Sequence, residues 1–207
     1  MAPSEPRRDL VVLVADKDMD LALRGMLARP ESLATRPISH TILRHEDHDA
    51  GVRLGAHEHL RGAAADFRYA LALFDHHGCG ADARPATDVE TSVQERLDGA
   101  GWRGRSAVVV FEPELEAWVW SASPRVHETL GISAQQRRDV LEHYGSTDLG
   151  KPGEPKAAMH AALRLSGRPP SAALFGELAS AVGLRRCRDR SFQRLVGQLR
   201  KWFPPAA

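Results

Sequence analysis

Cysteine is scarce in this chain: only Cys79 and Cys187 occur, far apart and without a Cys-x-x-Cys spacing. That excludes a disulfide framework and a zinc knuckle and predicts two reduced thiols. Long apolar runs are missing too, and none approaches the roughly 20 residues needed to cross a bilayer. The opening MAPSEPRRD holds two arginines but no apolar stretch of signal-peptide length, so a soluble, cytoplasmic protein is expected. The sequence has no GxxxxGK(S/T) phosphate loop, no GxGxxG fingerprint and no GxSxG elbow. A nucleotide-fuelled motor and a dinucleotide oxidoreductase therefore lose ground.

What is present is a chain of 207 residues, 43% hydrophobic and 27% charged, which is long enough for one full domain with an appended subdomain. The net charge of +1 hides an asymmetry. Residues 1–150 carry 17 Lys and Arg against 24 Asp and Glu, whereas residues 151–207 carry 11 against 3. An acidic body followed by a basic tail points toward a polyanionic partner, although basic helix faces are more often merely solvated.

LVVLVA at 10–15 is an unalternating β-branched run, the pattern of a strand buried on both faces. After Asp16 the period changes, and Met19, Leu23, Met26 and Leu27 mark one face of a helix that stops before Pro30. A weaker alternating strand is expected over Ile38 to Leu43 and a helix over 51–65. YALALF at 69–74 is a second clear strand. Thr87 and Glu90 then form a capping-box pattern ahead of a helix carrying Val89, Val93 and Leu97. SAVVVF at 106–111 is the third clear strand, and Pro113 is placed to open a helix over ELEAWVWSA. Beyond residue 122 only helices are expected. Ser133 with Gln136 caps one, Pro155 opens another, Leu174, Phe175 and Leu178 mark a third, and Phe192, Leu195, Val196, Leu199 and Trp202 stripe the last. The expected organisation is a flexible segment 1–8, an α/β domain over 9–122 and a helical section over 123–207.

In open parallel sheets function gathers at the carboxyl ends of the strands. Asp16, Asp75 and Glu112 each follow or close one of the three clear strands. Such oxygen ligands suit Mg²⁺ or Mn²⁺. Asp20 and Glu116 lie one helical turn after Asp16 and Glu112 and are secondary candidates. His77 would point with Asp75 if the strand continues. A carboxylate near a helix N-terminus also serves the helix dipole, which is the structural alternative for these acids. Seven of the ten histidines fall between residues 40 and 77. His57, Glu58 and His59 offer a conceivable zinc pattern, but residues two apart on a helix diverge, and a solvated histidine-rich segment is the simpler reading. In the tail, Arg185, Arg186, Arg188, Arg190, Arg194, Arg200 and Lys201 face a single acid, Asp189, a density suited to phosphates.

The motifs VADKDMD, with Asp16 and Asp20 four apart, and LALFDHHG, with Asp75, resemble the TOPRIM domain. FEPELEAWVW at 111–120, KPGEPKAAM at 151–159 and SFQRLVGQL at 191–199 are similar to small TOPRIM-like proteins of the DUF4276 kind and to components of bacterial methylation-associated anti-phage defence systems. The chain departs from that pattern in having Asp16 where Glu is usual and His77 where a second Asp is expected. The resemblance implies a TOPRIM-like, Rossmann-like fold with a mainly parallel sheet flanked by helices. It further implies a Mg²⁺- or Mn²⁺-dependent phosphodiesterase acting on nucleic acid. In that reading Asp16, Asp75, Glu112 and His77 are catalytic, and Asp16, Asp20, Asp75, Glu112 and Glu116 hold metal. Lys151, Lys156, Arg185, Arg186, Arg188, Arg190 and Arg194 hold nucleic acid. The alternative is a catalytically degenerate subunit that binds nucleic acid or a defence-system protein. Hydrolysis of a small phosphorylated molecule is a third option.

Overall fold

A computed structural model describes residues 7–145, 147–183 and 187–205. Along the chain run β1 (Arg8–Val14), α1 (Lys17–Leu27), α2 (Pro30–Leu33), β2 (His40–Arg44), α3 (His48–Arg61), β3 (Phe67–Asp75) and α4 (Ala86–Leu97). They are followed by β4 (Ser106–Phe111), α5 (Glu116–Val119), α6 (Arg125–Leu130), α7 (Ala134–His143), α8 (Pro155–Ser166), α9 (Ala172–Ala181) and α10 (Arg190–Trp202). Contact density groups these elements into two units, one of residues 7–16 and 38–110 and one of 17–37 and 111–205. The helix after the first strand thus belongs with the C-terminal helices, a different division from a linear boundary at 122. No helix among the described residues is long and apolar enough to cross a membrane.

The first unit is built on a four-stranded, all-parallel sheet of order β2-β1-β3-β4. Val12 lies opposite Ile42 on one side and Leu71 on the other. The architecture is α/β and Rossmann-like, with α3 packed on β1, β3 and α4. Leu10 to Val14 are at most 1% exposed, which is why their sequence shows no alternation. β2 is half-buried over most of its length because it is an edge strand, and its weak pattern has that cause. Trp102 is fully buried and donates its indole N–H to the Leu60 carbonyl at 3.1 Å.

The expected capping box at Thr87 and Glu90 does not form. α4 begins at Ala86 with Pro85 at its cap, and no side chain caps it. Glu90 is 2% exposed and accepts the Val110 backbone N–H at 3.1 Å. β4 lies at a sheet edge, so a donor there needs a partner from outside the ladder, and the carboxylate supplies it.

In the second unit α1 and α9 pack closely at small residues. A Cβ on Gly25 would sit 2.8 Å from the Gly176 carbonyl oxygen and 2.9 Å from Ala179 Cβ. Ser133 and Gln136 form the expected capping box at α7, with bonds of 3.1 and 2.8 Å. Pro155 opens α8, and Phe192, Leu195, Val196 and Leu199 of α10 are buried. The helix expected directly after Pro113 is reduced to the four residues of α5, and the Glu112–Pro113 bond is cis. Long-range bonds hold this segment instead: Glu114 accepts the Lys156 backbone N–H at 3.0 Å, and the Trp120 indole donates to the Pro155 carbonyl at 2.9 Å. Tertiary hydrogen bonding here overrides local helix preference.

Candidate functional site

In the first unit the acids stand where parallel strands end. Asp16 follows β1 and is half-buried, whereas Asp75 is the last residue of β3 and is 8% exposed. The structure adds a residue that was not anticipated. Asp49, in the first turn of α3, accepts the Asp75 backbone N–H on Oδ1 at 2.8 Å. Burial pushes the Asp49 carboxyl above its ordinary value; the Asp75 N–H opposes this and the charge of Asp16 adds to it. A signal for Asp49 was available, because RHEDHD follows the weak strand β2 and the strand-end rule applies to every parallel strand.

His77 is exposed in the turn after β3. The strand stops at Asp75, so its alternation does not carry His77 to the face of the acids. The neighbouring His76 places Nε2 2.8 Å from the Arg84 carbonyl. Of the other histidines, His45 and His59 bring their ring centres to 4.5 Å, and His57 lies 3.9 Å from Glu58. Among the described residues no three His, Cys, Asp or Glu side chains group as a metal cage requires, those of His57, Glu58 and His59 included.

In the second unit three segments far apart in sequence converge. Lys151 is 7% exposed, and its Nζ donates to the Ala117 carbonyl at 2.6 Å and to Asp189 Oδ2 at 2.9 Å. Asp189 Oδ1 caps α10 through the Phe192 N–H at 3.1 Å and accepts the Trp118 indole N–H at 3.1 Å. The Ser191 hydroxyl donates to the same carboxylate. Burial alone would raise the Asp189 carboxyl, but the Lys151 charge and these hydrogen bonds outweigh it and hold it below its ordinary value. Lys151 is therefore a buried ion-pair partner and not the exposed phosphate contact expected of it. It had to be buried because Asp189 could not be desolvated alone.

Glu116, at the start of α5, is 6% exposed and lies 3.5 Å from Lys156 Nζ. Burial raises its carboxyl pKa, Lys156 opposes that rise and Glu114 adds to it. Lys156 keeps an exposed side chain and lines a cleft of about 310 Å³ with Asp18, Glu116, His160 and Ser171. Asp20 is held by Arg24 Nε at 2.5 Å, one turn along α1. Glu112 is exposed. Arg188, Arg190 and Arg194 are exposed as well, while Arg185 and Arg186 lie outside the described residues.

No family model, curated protein or solved structure matches this chain. What the arrangement can do is therefore argued from its own residues. The first unit offers an acidic strand-end edge, and the second offers a mixed-charge cleft and a buried polar network.

Proposed function

We propose that this protein is a divalent-metal-dependent phosphodiesterase of TOPRIM-like type that acts on nucleic acid in bacterial anti-phage defence. The observation that carries the reading is the acidic carboxyl edge of the parallel sheet, where Asp16 follows β1, Asp75 closes β3 and Asp49 accepts the Asp75 N–H at 2.8 Å. Like charges raise each other's energy unless a cation is at hand, and the elevated Asp49 carboxyl reflects both burial and that repulsion.

The donor set suits Mg²⁺ or Mn²⁺ held by one or two carboxylates, with water and phosphate oxygens completing the shell. It does not suit a cage closed by three protein ligands. When bound, such a cation polarises a phosphoryl oxygen and lowers the pKa of water. The chain's own contributions are the Asp75 N–H, which fixes the Asp49 carboxylate, and the cations of the second unit. There Lys156, Arg188, Arg190 and Arg194 are exposed cations of the kind that neutralise phosphates. Asp20, Glu112 and Glu116 remain further carboxylate candidates of that unit.

Calorimetric titration of Mg²⁺ and Mn²⁺ into the wild type, Asp49→Asn and Asp75→Asn, paired with cleavage of labelled DNA and RNA, tests the reading. Metal-dependent cleavage that falls together with metal binding in both variants is expected. Cleavage unchanged in both would refute it.

A second reading, a degenerate TOPRIM-like subunit that binds nucleic acid or a defence partner, is favoured by the exposed His77 where the resemblance expects an aspartate. Nucleic-acid binding that persists in EDTA, without turnover under either metal, would decide for it.

A further inference from the structure

We propose that Arg53, together with the glycine turn 78–80 after β3, forms an oxyanion site that grips a phosphodiester group one helical turn along α3 from Asp49. This inference rests on the nucleic-acid reading above and names where a backbone phosphate is held.

The site lies wholly within the first unit. Arg53 belongs to α3 and is half-buried. Its Nε donates to the Cys79 carbonyl at 2.5 Å, which sets the guanidinium against the turn. Nη1 and Nη2 make no hydrogen bond or salt bridge among the described residues. Their parallel N–H groups are the fork that matches paired oxygens of a phosphate. Glycine keeps that fork uncovered. A Cβ on Gly80 would sit 3.4 Å from Arg53 Nη2, and at φ +75° a side chain there would also be strained. Gly78 and Gly80 are exposed. The Gly78 N–H is taken by Asp82 Oδ1 at 3.0 Å, whereas the Gly80 N–H makes no hydrogen bond among the described residues and leaves a backbone donor on the turn. Arg96 braces the arrangement from α4. Its Nη1 donates to the Leu54 carbonyl at 2.9 Å, its Nη2 to that of Arg53 and its Nε to that of Ser92. Burial and then the charge of Arg53 lower the Arg96 pKa. Two guanidinium groups therefore stand near one another with carbonyl oxygens as their only acceptors among the described residues, and an arriving anion relieves the repulsion. Asp49 and Arg53 are four residues apart on α3 and share a side of the helix, so an anion on Arg53 lies toward the acidic carboxyl edge. The Asp49 carboxylate is itself turned onto the Asp75 N–H and forms no salt bridge with Arg53.

The test titrates inorganic phosphate into the full chain without metal, at constant ionic strength, and follows the backbone amides and arginine Nε–H groups by nitrogen-15 NMR. The Gly80 amide and the Arg53 Nε–H are expected to shift together and to saturate with a Kd on the order of 10 mM or tighter. Arg53→Gln removes the fork while keeping an amide donor for the Cys79 carbonyl, and it should weaken phosphate by about tenfold or more. A labelled single-stranded oligonucleotide with hydroxyl ends offers phosphodiesters only. Its salt slope should be shallower by about one in Arg53→Gln, a change that a residue merely holding the turn would not give. Signals of Gly80 and Arg53 that stay still up to about 50 mM phosphate overturn the site, and this wild-type measurement stands even if the variant fails to fold. Shifts that chloride reproduces at the same ionic strength overturn it as well. A salt slope unchanged in folded Arg53→Gln overturns the phosphodiester assignment. Phosphate and oligonucleotide binding through Arg53 without metal-dependent cleavage would support the site and count against the nuclease. Metal-dependent cleavage by a chain whose Gly80 and Arg53 signals ignore phosphate would refute the site alone.

Discussion

Lys151→Ala removes an ammonium that is 7% exposed and bonded to the Ala117 carbonyl at 2.6 Å and to Asp189 at 2.9 Å. Asp189, 5% exposed, keeps its bonds from Phe192, Trp118 and Ser191 but loses the only opposite charge placed against it by a salt bridge among the described residues. Breaking a buried pair from one side costs about 3–5 kcal/mol, because the remaining charge stays desolvated. For a chain of this length that corresponds to a melting temperature lower by about 10 °C. The double variant Lys151→Met with Asp189→Asn removes both charges, and asparagine remains a good helix cap, so most of the loss should return. Thermal denaturation by circular dichroism measures the first effect. Fluorescence anisotropy with a labelled oligonucleotide across a salt series measures the second, and below the melting transition the Lys151→Ala salt slope should equal that of the wild type. An unchanged melting temperature with a salt slope shallower by about one would refute the argument and return Lys151 to phosphate binding.

Two further outcomes follow from the first unit. A Cβ on Gly51 would overlap the His45 ring and lie 2.8 Å from Asp47 Cβ, so Gly51→Ala should cost about 1–3 kcal/mol. Gly62 meets nothing within 4 Å and has helical dihedrals, so Gly62→Ala should gain about 0.4–1 kcal/mol; urea denaturation that finds the two equal would contradict the packing. His45 Nδ1 accepts the Asp47 N–H at 3.1 Å, and burial followed by the charge of His59 lowers its pKa below 6.5. The unfolded chain then binds that proton more readily. Its contribution to stability is complete above 6.5 and is lost as pH falls from there through the lower folded value. Melting curves from about pH 8 to 5 should show a smaller acid-side loss in His45→Ala than in the wild type, and identical slopes would sink the assignment.

The strand-end acids, the unalternating strands and the α10 stripe were all legible because each depends on neighbours within a few residues. LVVLVA declares its burial by composition. Ser133 and Gln136 declare a cap because both partners of the box lie in one turn. Thr87 and Glu90 display the same pattern, yet Glu90 bonds to Val110, twenty residues away. Asp49 is barely legible in the sequence because its partner, Asp75, is 26 residues distant and its strand is a poorly patterned edge. The placement of His77 depends on where β3 stops, which only the structure fixes.

By itself the sequence determined an α/β body followed by helices, the strands and their acidic ends, and the basic character of the last helix. These are local consequences of periodicity, and backbone sterics read them without knowing the rest of the chain. Only the tertiary structure decided which charges are exposed and which are internal supports. Lys151 and Arg188 look alike in a list of cations, but one is desolvated against Asp189 and the other is exposed. A charge leaves water only when its partner arrives, and here that partner lies 38 residues away.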